Sequence, residues 1–413
     1  MAKNPLHCSF CGRNRDEVKI LIAGQEGHIC ENCVEHAREI IEQELMTKDE
    51  RIPSSFKLTV KKPVEIKKFL DEYVIGQDEA KRVLSVAVYN HYKRLQQKTN
   101  ETAPGEVEIE KSNIIMVGET GTGKTLLAKT IARLLNVPFA IVDATVFTEA
   151  GYVGEDVESI LTRLLQVCNY DVPAAERGIV YIDEIDKIAR KGDNPSITRD
   201  VSGEGVQQGM LKLLEGTDVL VPPQGGRKHP EQKLIKINTQ NILFICGGAF
   251  DGIDKVIARR VQTNTIGFNV DKEQQDAMKK NLLRYVNAPD LKTFGLIPEL
   301  LGRLPVVTHL DPLDGVTLRA ILTEPKNALI KQYKKLFELE GIQLTIEPLV
   351  LDFMVEKAVE YKLGARGLRS ICESILTDAM FELPGTSEKS FVLDIDYARR
   401  KFENSKISLL KVA

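Results

Sequence analysis

The chain has 413 residues, more than one ordinary domain needs, and its apolar content of 43% lets each of the two or three expected domains bury a core. The formal charge of −3 and the pI of about 6.2 argue against nucleic acid as the main ligand, because domains that bind nucleic acid usually carry a basic face. The first residues lack the apolar segment of a signal peptide, and no apolar run approaches the ~18 residues of a membrane span, so a cytoplasmic protein with no membrane and no nucleic-acid partner is expected.

Two Cys-x-x-Cys pairs, Cys8 with Cys11 and Cys30 with Cys33, lie near the N-terminus, eighteen residues apart. This spacing is typical of a structural zinc site, in which each tight turn aims two thiolates at one tetrahedral ion and leaves no open coordination position. Redox-active or disulfide pairs are the alternatives. Three nearby histidines could replace a ligand: His7, His28 and His36. The other cysteines are interpreted as small buried apolar residues: Cys168, Cys246 and Cys372.

Composition divides the chain into four segments. Residues 1–48 form the predicted zinc-binding domain, and the polar residues 49–62 are interpreted as a linker. Residues 63–311 alternate apolar runs with helical patterns, which predicts an α/β domain with a parallel sheet. Residues 312–413 are predicted to form a smaller, mostly helical domain. Its predicted helices cover 315–339, a segment that begins at Pro348, and 367–381.

Five short apolar runs are the candidate strands: 113–117, 139–143, 178–182, 241–245 and 306–310. The first leads into the sequence GETGTGKT, which opens a helix, as a phosphate-binding P-loop does. Glycines let the backbone wrap the phosphates, Lys124 reaches the β- and γ-phosphates, and Thr125 offers its hydroxyl to Mg²⁺. The glycine order does not fit a dinucleotide-binding loop. The predicted nucleotide-binding residues are Gly118, Glu119, Thr120, Gly121, Thr122, Gly123, Lys124 and Thr125.

A Mg²⁺-nucleotide site needs a second carboxylate at the end of a neighbouring strand. The third apolar run leads into Asp183 and Glu184. We expect Asp183 to hold Mg²⁺ through water, and Glu184 to orient and deprotonate the attacking water. A similar run over 391–396 alternates as a half-exposed strand does and is interpreted as structural. An Asp-Glu pair suits hydrolysis better than phosphoryl transfer by a kinase, and the lack of an Asn-Lys-x-Asp motif favours ATP over GTP.

With these motifs in this order, the chain resembles the AAA+ ATPases, and within them the unfoldase subunits of Clp proteases, over essentially its whole length. The resemblance also includes the segment 73–77, YVIGQ, whose Val74 and Ile75 would contact the nucleotide. It implies an AAA+ large domain, a small C-terminal domain, ATP with Mg²⁺, and structural Zn²⁺. It further implies a homohexamer that unfolds tagged proteins, passes them to the ClpP peptidase, and recruits substrates and adaptors through its zinc domain.

The resemblance assigns three loops to substrate handling. Residues 151–154, GYVG, match the pore loop of the family, which implies that Tyr152 and Val153 grip the polypeptide. Read alone, they would form a turn with the tyrosine packed inward. Residues 199–207 resemble a second pore loop, which carries Arg199. Arg227, Lys228 and His229 resemble a basic loop at the pore entrance, which would attract carboxylate-bearing tails. Without the resemblance, this triplet would be interpreted as a solvated loop.

Two arginines are assigned to the nucleotide by resemblance. Residues 299–303, ELLGR, resemble the segment with an arginine finger, so Arg303 would act on ATP held by the neighbouring subunit. Residues 364–369 resemble a sensor-2 motif, in which Arg366 faces the nucleotide from the small domain and Arg369 is structural.

Residues 262–268 resemble the loop that docks on ClpP, with Ile266, Gly267 and Phe268 as the anchor, although core packing is the alternative from the residues alone. The sensor-1 side chain of the family is not assigned, because the strand after Asp183 ends in two glycines, Gly247 and Gly248.

Three other functions compete with an unfoldase. The related motor HslU shares GYVG but lacks the four-cysteine module, and it carries a large insertion between the two nucleotide motifs. A helicase or clamp loader would need a basic groove, which the acidic pI disfavours. A zinc adaptor with a degenerate ATPase is disfavoured because Lys124, Asp183 and Glu184 are all present.

Overall fold

The computed structural model describes residues 6–24, 27–38, 61–97, 107, 109–148, 155–190, 203–222, 234–264 and 281–405. The chain divides into two compact units, Met1–Leu58 and Thr59–Ala413, and each is described by itself. Among the helices of these ranges, none combines the length and the apolar character needed to cross a membrane.

The first unit contains a short antiparallel hairpin. Strand β1 (Leu21–Ala23) pairs with β2 (His28–Cys30), and residues 31–38 follow as a helix. Among the residues described in this unit, the only buried ones are Cys8 and Cys30. The described residues of the first unit therefore form almost no apolar core.

The second unit contains a five-stranded parallel sheet. Its first seven strands are β3 (Ile114–Val117), β4 (Phe139–Asp143), β5 (Ile179–Asp183), β6 (Asp218–Val221), β7 (Ile235–Asn238), β8 (Leu243–Gly248) and β9 (Val306–His309). The sheet has the order β4-β5-β8-β3-β9, while β6 and β7 form a separate antiparallel hairpin. All five predicted sheet strands are confirmed. Strand β8 extends beyond the predicted end at 245, because Gly247 and Gly248 still pair with β3.

Helices cover both faces of this sheet, as its apolar strands require. They are α1 (Pro63–Asp71), α2 (Asp78–Gln97), α3 (Lys124–Leu135), α4 (Ser159–Val167), α5 (Val172–Ala175), α6 (Glu204–Glu215), α7 (Ile253–Asn264), α8 (Ala288–Phe294) and α9 (Pro298–Gly302). Apolar side chains of α4, α6, α7 and α9 pack with Val180 and Phe244 on one face. Helices α2 and α3 contact the strands from the other face.

A second apolar core lies after residue 314. It is built from α10 (Gly315–Thr323), α11 (Leu329–Leu339), β10 (Gln343–Ile346), α12 (Pro348–Glu360), α13 (Gly364–Glu382), β11 (Ser390–Leu393) and α14 (Ile395–Glu403). Strands β10 and β11 pair in parallel. This part is mostly helical, as predicted.

Three details differ from the prediction or sharpen it. A continuous helix over 315–339 is wrong: α10 ends at Thr323 and α11 begins at Leu329, because Pro325 lacks an N–H and disfavours helical backbone before it. Helix α13 begins at Gly364, three residues before the predicted start. The run over 391–396 is structural, as expected, since Asp394 accepts a hydrogen bond from Tyr397 N at 2.7 Å and caps α14.

The scattered cysteines follow the expectation in two of three cases. Cys246 and Cys372 are fully buried, and burial raises the pKa of each thiol to about 12. Cys168 is only half-buried.

Candidate nucleotide site and metal centre

The P-loop joins β3 to α3, and its backbone requires glycine at specific positions. Gly121 and Gly123 have φ of +88° and +106°, a region that other residues rarely adopt. Gly118 is needed for space, because a Cβ there would lie 2.9 Å from Cβ of Leu310. Helix α3 begins directly after the loop, so its first N–H groups are available to an anion. The loop therefore has the backbone of a phosphate-binding turn.

The ammonium group of Lys124 lies inside this loop. The residue is 8% exposed, and Nζ donates hydrogen bonds to the carbonyl oxygens of Gly118 and Glu119, the latter at 2.9 Å. Burial lowers the pKa of Lys124, whereas the carboxylates of Asp183 and Asp186 act in the opposite direction. The loop thus holds a positive charge where phosphate oxygens would bind.

The carboxylate of Asp183, at the end of β5, is hydrogen-bonded on both oxygens. Oδ2 accepts from Thr125 Oγ1 at 3.1 Å, and Oδ1 accepts from Glu184 N and Tyr181 Oη, each at 3.1 Å. Burial raises the pKa of Tyr181, and the charge of Asp183 raises it further, so the hydroxyl keeps its proton and donates. A hydroxyl and a carboxylate at this separation supply the hard oxygen donors that Mg²⁺ prefers, so these residues fit the ion.

Glu184, the first residue after β5, has an unusual backbone conformation. Its φ is +55°, in the left-handed region that few residues with a side chain adopt. The residue is exposed and lines the cleft beside the P-loop. Such strained backbone is often found at functional sites, which agrees with a role for this carboxylate.

This cleft has a volume of 640 Å³ and lies between the sheet and the small helical part. The sheet part contributes Tyr73, Thr120, Gly121, Gly123, Lys124, Thr125, Leu126, Asp183, Glu184, Asp186, Lys187, Ala249 and Asp251. The small part contributes Ile321, Pro325, Asn327, Leu329, Ala365, Arg366 and Arg369. The fold therefore brings the P-loop, Asp183 and Glu184 together on one side of the cleft, and residues after 314 form the other side.

The two arginines assigned by resemblance lie in different places. Arg366 is in the first turn of α13, and its backbone N lies 3.9 Å from the position that a Cβ would take at Gly121. Arg303 does not line the cleft formed by the described residues. Its Nη2 donates to Glu215 Oε1 at 2.9 Å, and its side chain is half-exposed.

The segment before the P-loop packs against the loop through Val74, one of the two residues expected to contact the nucleotide. Val74 is buried, and its Cγ1 lies 3.8 Å from the position that a Cβ would take at Gly123. Ile75, the next residue, is half-buried and is not among the cleft residues named above.

The four N-terminal cysteines converge as predicted. Their sulfur atoms all lie within 4.8 Å of one another, and the Sγ atoms of Cys11 and Cys30 are 3.7 Å apart. A tetrahedral ion with Zn–S bonds of ~2.3 Å needs sulfurs ~3.8 Å apart, so this set fits zinc. Burial raises the pKa of Cys8, but N–H donors on Cys11, Phe10 and Cys30 outweigh it and lower that pKa to about 6. These donors favour the thiolate that a metal requires.

Several residues assigned by resemblance lie outside the described ranges. They are Tyr152, Val153, Arg199, Arg227, Lys228 and His229 of the substrate loops, and Ile266, Gly267 and Phe268 of the docking loop.

The structure also reveals contacts that the sequence analysis missed. Gln77, in the YVIGQ segment, hydrogen-bonds to the backbone of Asp311, and Tyr181 hydrogen-bonds to Asp183. Because Gln77 belongs to the YVIGQ segment that resembles the family, the sequence could have indicated a structural role for it. The apolar small-part residues that line the cleft carry no local pattern that marks them: Ile321, Pro325 and Leu329.

Three family models match successive parts of the chain. The ClpX C4-type zinc finger matches residues 6–43, and the AAA domain (Cdc48 subfamily) matches 109–307. The C-terminal, D2-small domain, of ClpB protein matches residues 313–389.

Relatives match over nearly the full length. The ATP-dependent Clp protease ATP-binding subunit ClpX of Bacteroides thetaiotaomicron is 64% identical over 415 residues, which cover 100% of this chain and 99% of the relative. Proteins of the same name from Bacteroides fragilis and Porphyromonas gingivalis are 63% and 62% identical; the matches cover 99% and 96% of this chain, and the same shares of the relatives. The chain therefore belongs to the ClpX family of ATP-binding subunits.

Proposed function

We propose that the chain is the ATP-binding subunit of an ATP-dependent Clp protease. In this role it recognises proteins, unfolds them, and translocates them through a hexameric pore into the ClpP peptidase, as the specificity component. The chain is an ATPase and not itself a peptidase. One observation carries the proposal. The P-loop, Asp183 and Glu184 line a cleft whose opposite side includes Arg366 of helix α13.

This geometry supports the following proposed roles for the site residues. Lys124 would bind the β- and γ-phosphates, the hydroxyl of Thr125 would bind Mg²⁺, and Asp183 would hold the ion through water. When bound there, Mg²⁺ would neutralise charge on the phosphates. The exposed carboxylate of Glu184 orients the attacking water and accepts its proton. Val74 and Ile75 contact the nucleotide, and Arg366 steadies its phosphates from the small domain.

Arg303 acts in the neighbouring subunit. Its guanidinium pairs with Glu215 and is not among the described cleft residues of its own chain. The position of Arg303 outside its own cleft supports action on ATP bound to a neighbouring subunit, and a closed ring would supply such an arginine to every site. We propose that this ring is a homohexamer, as the family resemblance implies.

Hydrolysis is converted into pulling by motion between two domains. We assign the large domain to 63–311 and the small domain to 312–413, which agrees with the two separate apolar cores. Rotation about 311–314 would move Tyr152 and Val153 along the pore. Typical domains are stable by only about 5–15 kcal/mol, so repeated pulls, each coupled to one ATP, can unfold them.

The remaining loops and the zinc domain select and deliver substrates. Arg199, with the basic loop at Arg227, Lys228 and His229, would attract substrate tails, and the loop at Ile266, Gly267 and Phe268 would dock on ClpP. Residues 1–48 would recruit substrates and adaptors, with 49–62 as a linker. Several large apolar side chains of this domain are exposed, among them Phe10, Ile20 and Ile22, which supports a role in binding partners. We further propose that the protein works in the cytoplasm, without nucleic acid or membrane.

The decisive experiment follows the unfolding of a folded, tagged fluorescent reporter. We expect fluorescence to fall only with ATP, and peptides to appear only when ClpP is added. DNA serves as a control and should not stimulate hydrolysis. Polynucleotide-stimulated ATPase without reporter unfolding would contradict the proposal and favour a helicase.

A further inference from the structure

Tyr181 lies two residues before Asp183 on β5, so both side chains project from the same face of the sheet. Tyr181 is fully buried, and its hydroxyl donates to Asp183 Oδ1 at 3.1 Å. Together with the N–H of Glu184 on the same oxygen, it leaves Oδ2 directed at Thr125. The tyrosine therefore constrains how the carboxylate is turned.

The neighbouring strand provides the space that this tyrosine occupies. A Cβ at Gly247 of β8 would lie 2.1 Å from Oη of Tyr181 and 2.8 Å from its Cζ. The φ of Gly247 is not in the left-handed region, so the backbone does not demand glycine there. What the position demands is room for the tyrosine hydroxyl. Any side chain at 247 would displace the group that holds Asp183.

We propose that Tyr181 is a positioning residue for ATP hydrolysis: it fixes the Asp183 carboxylate for the divalent cation, in a space that exists because residue 247 is glycine. The inference rests on the proposed function, since it concerns the same nucleotide site. Groups that hold a metal-binding carboxylate typically change metal affinity or activity by about 10- to 100-fold when they are removed.

The test compares Tyr181→Phe with a matched variant, Tyr92→Phe. Tyr92 is also fully buried, and its hydroxyl also makes one hydrogen bond at 3.1 Å, to the carbonyl oxygen of Arg177. Both variants keep the ring and lose one buried hydroxyl. The full-length protein is titrated with Mn²⁺ in the presence of a non-hydrolysable ATP analogue, and bound Mn²⁺ is measured by electron paramagnetic resonance. The Mg²⁺ concentration for half-maximal ATP hydrolysis is measured in parallel.

We expect Tyr181→Phe to weaken Mn²⁺ binding about 10-fold and to raise the required Mg²⁺ by a similar factor, with metal-free nucleotide affinity unchanged. Tyr92→Phe should alter neither quantity. Gly247→Ala should reproduce the Tyr181→Phe result by pushing the hydroxyl away.

If Tyr181→Phe bound Mn²⁺ with wild-type affinity, this inference would be overturned, while the proposed function would be unaffected. If the wild-type protein itself bound no Mn²⁺-nucleotide, the proposed function would be overturned, and this inference with it.

Discussion

The side-chain amide of Gln77 makes two hydrogen bonds with the backbone of Asp311: Nε2 donates to the carbonyl oxygen at 2.8 Å, and Oε1 accepts from the N–H at 2.7 Å. The same Nε2 lies 3.5 Å from the carbonyl oxygen of Thr122 in the P-loop. Gln77 is buried and holds a φ of +58°. One amide thus links the nucleotide loop to the residue at which the chain leaves the sheet for the small domain.

The first prediction tests this link with Gln77→Glu. The substitution keeps the acceptor for Asp311 N but replaces the donor with an oxygen that faces a carbonyl oxygen. Leaving buried polar groups unsatisfied costs about 1–3 kcal/mol, so the free energy of unfolding should fall by that amount. ATP turnover should fall as well, because the P-loop and the backbone of Asp311 lose the side chain that joins them. Both are measured by denaturant unfolding and by phosphate release.

The control for this prediction is Gln332→Glu. Gln332 also donates through Nε2 to a backbone carbonyl, that of Asn327, at 2.6 Å, but it is exposed. Water can replace this bond, so the loss of stability should stay below about 1 kcal/mol. Equal losses in the two variants would contradict the assigned importance of the Gln77 link.

Much of the fold could be predicted because it depends on local patterns. The parallel strands are continuous apolar runs, and the P-loop has a fixed glycine spacing. The order of the strands could not be predicted in this way, since β5 pairs with β8 across a long stretch of chain. Pro325 is a local signal for the break between α10 and α11, but the apolar periodicity on both sides of it favoured one continuous helix.

Residues of the candidate site could be predicted only where they belong to a short sequence motif. Lys124, Asp183 and Glu184 belong to short motifs, so their roles could be inferred before their positions were known. The contact of Tyr181 with Asp183 depends on a rotamer, and the need for glycine at 247 depends on the register of two strands. Such relationships appear only when distant segments are packed together.

The second prediction concerns Glu184, the proposed catalytic base. Glu184→Gln keeps the size of the side chain but cannot accept a proton from water. ATP binding and ring assembly should be retained, while turnover falls at least about a hundredfold, the scale of losing a general base. Nucleotide binding is measured by calorimetry, assembly by sedimentation, and turnover by phosphate release. Near-normal turnover would remove Glu184 from this role.

The third prediction concerns the grip on substrate. Tyr152→Ala should leave basal ATP hydrolysis intact, because Tyr152 belongs to none of the nucleotide motifs. Unfolding of the tagged reporter should be lost, since the variant lacks the aromatic side chain proposed to contact the polypeptide. Both rates are measured on the same preparation. Unfolding at the wild-type rate would show that Tyr152 does not grip substrate.

The fourth prediction separates the zinc unit from the ATPase. The described residues of the first unit bury only Cys8 and Cys30, so metal rather than an apolar core should stabilise this unit. Cys11→Ser should abolish zinc binding and make the first unit sensitive to limited proteolysis. Basal ATP hydrolysis should persist, because every described cleft residue lies in the second unit. Cys168→Ser, at a half-buried thiol away from the cluster, is the control and should retain zinc.

The last prediction concerns acid sensitivity at His91. Its imidazole is buried, and Nε2 lies 3.0 Å from the carbonyl oxygen of Asn241, to which the neutral ring donates. Within the described parts of the chain, Nδ1 has no hydrogen-bond partner. Burial, followed by the charges of Arg94 and Lys111, lowers the pKa of His91 to about 3. Protonation would therefore place a charged, unsatisfied N–H inside the protein.

The sign of the effect follows from linkage. The unfolded chain binds this proton near pH 6.5, and the folded chain binds it near pH 3. The contribution of His91 to stability is therefore complete above pH 6.5 and is lost as the pH falls toward 3, by up to about 1.4 kcal/mol per pH unit. His91→Gln keeps a donor for Asn241 but does not titrate. Its unfolding free energy, measured in urea at pH 7, 5.5 and 4.5, should fall less steeply than that of the wild type (~1 kcal/mol less per unit). Parallel pH profiles for the two proteins would show that His91 is not an acid-sensitive group of this fold.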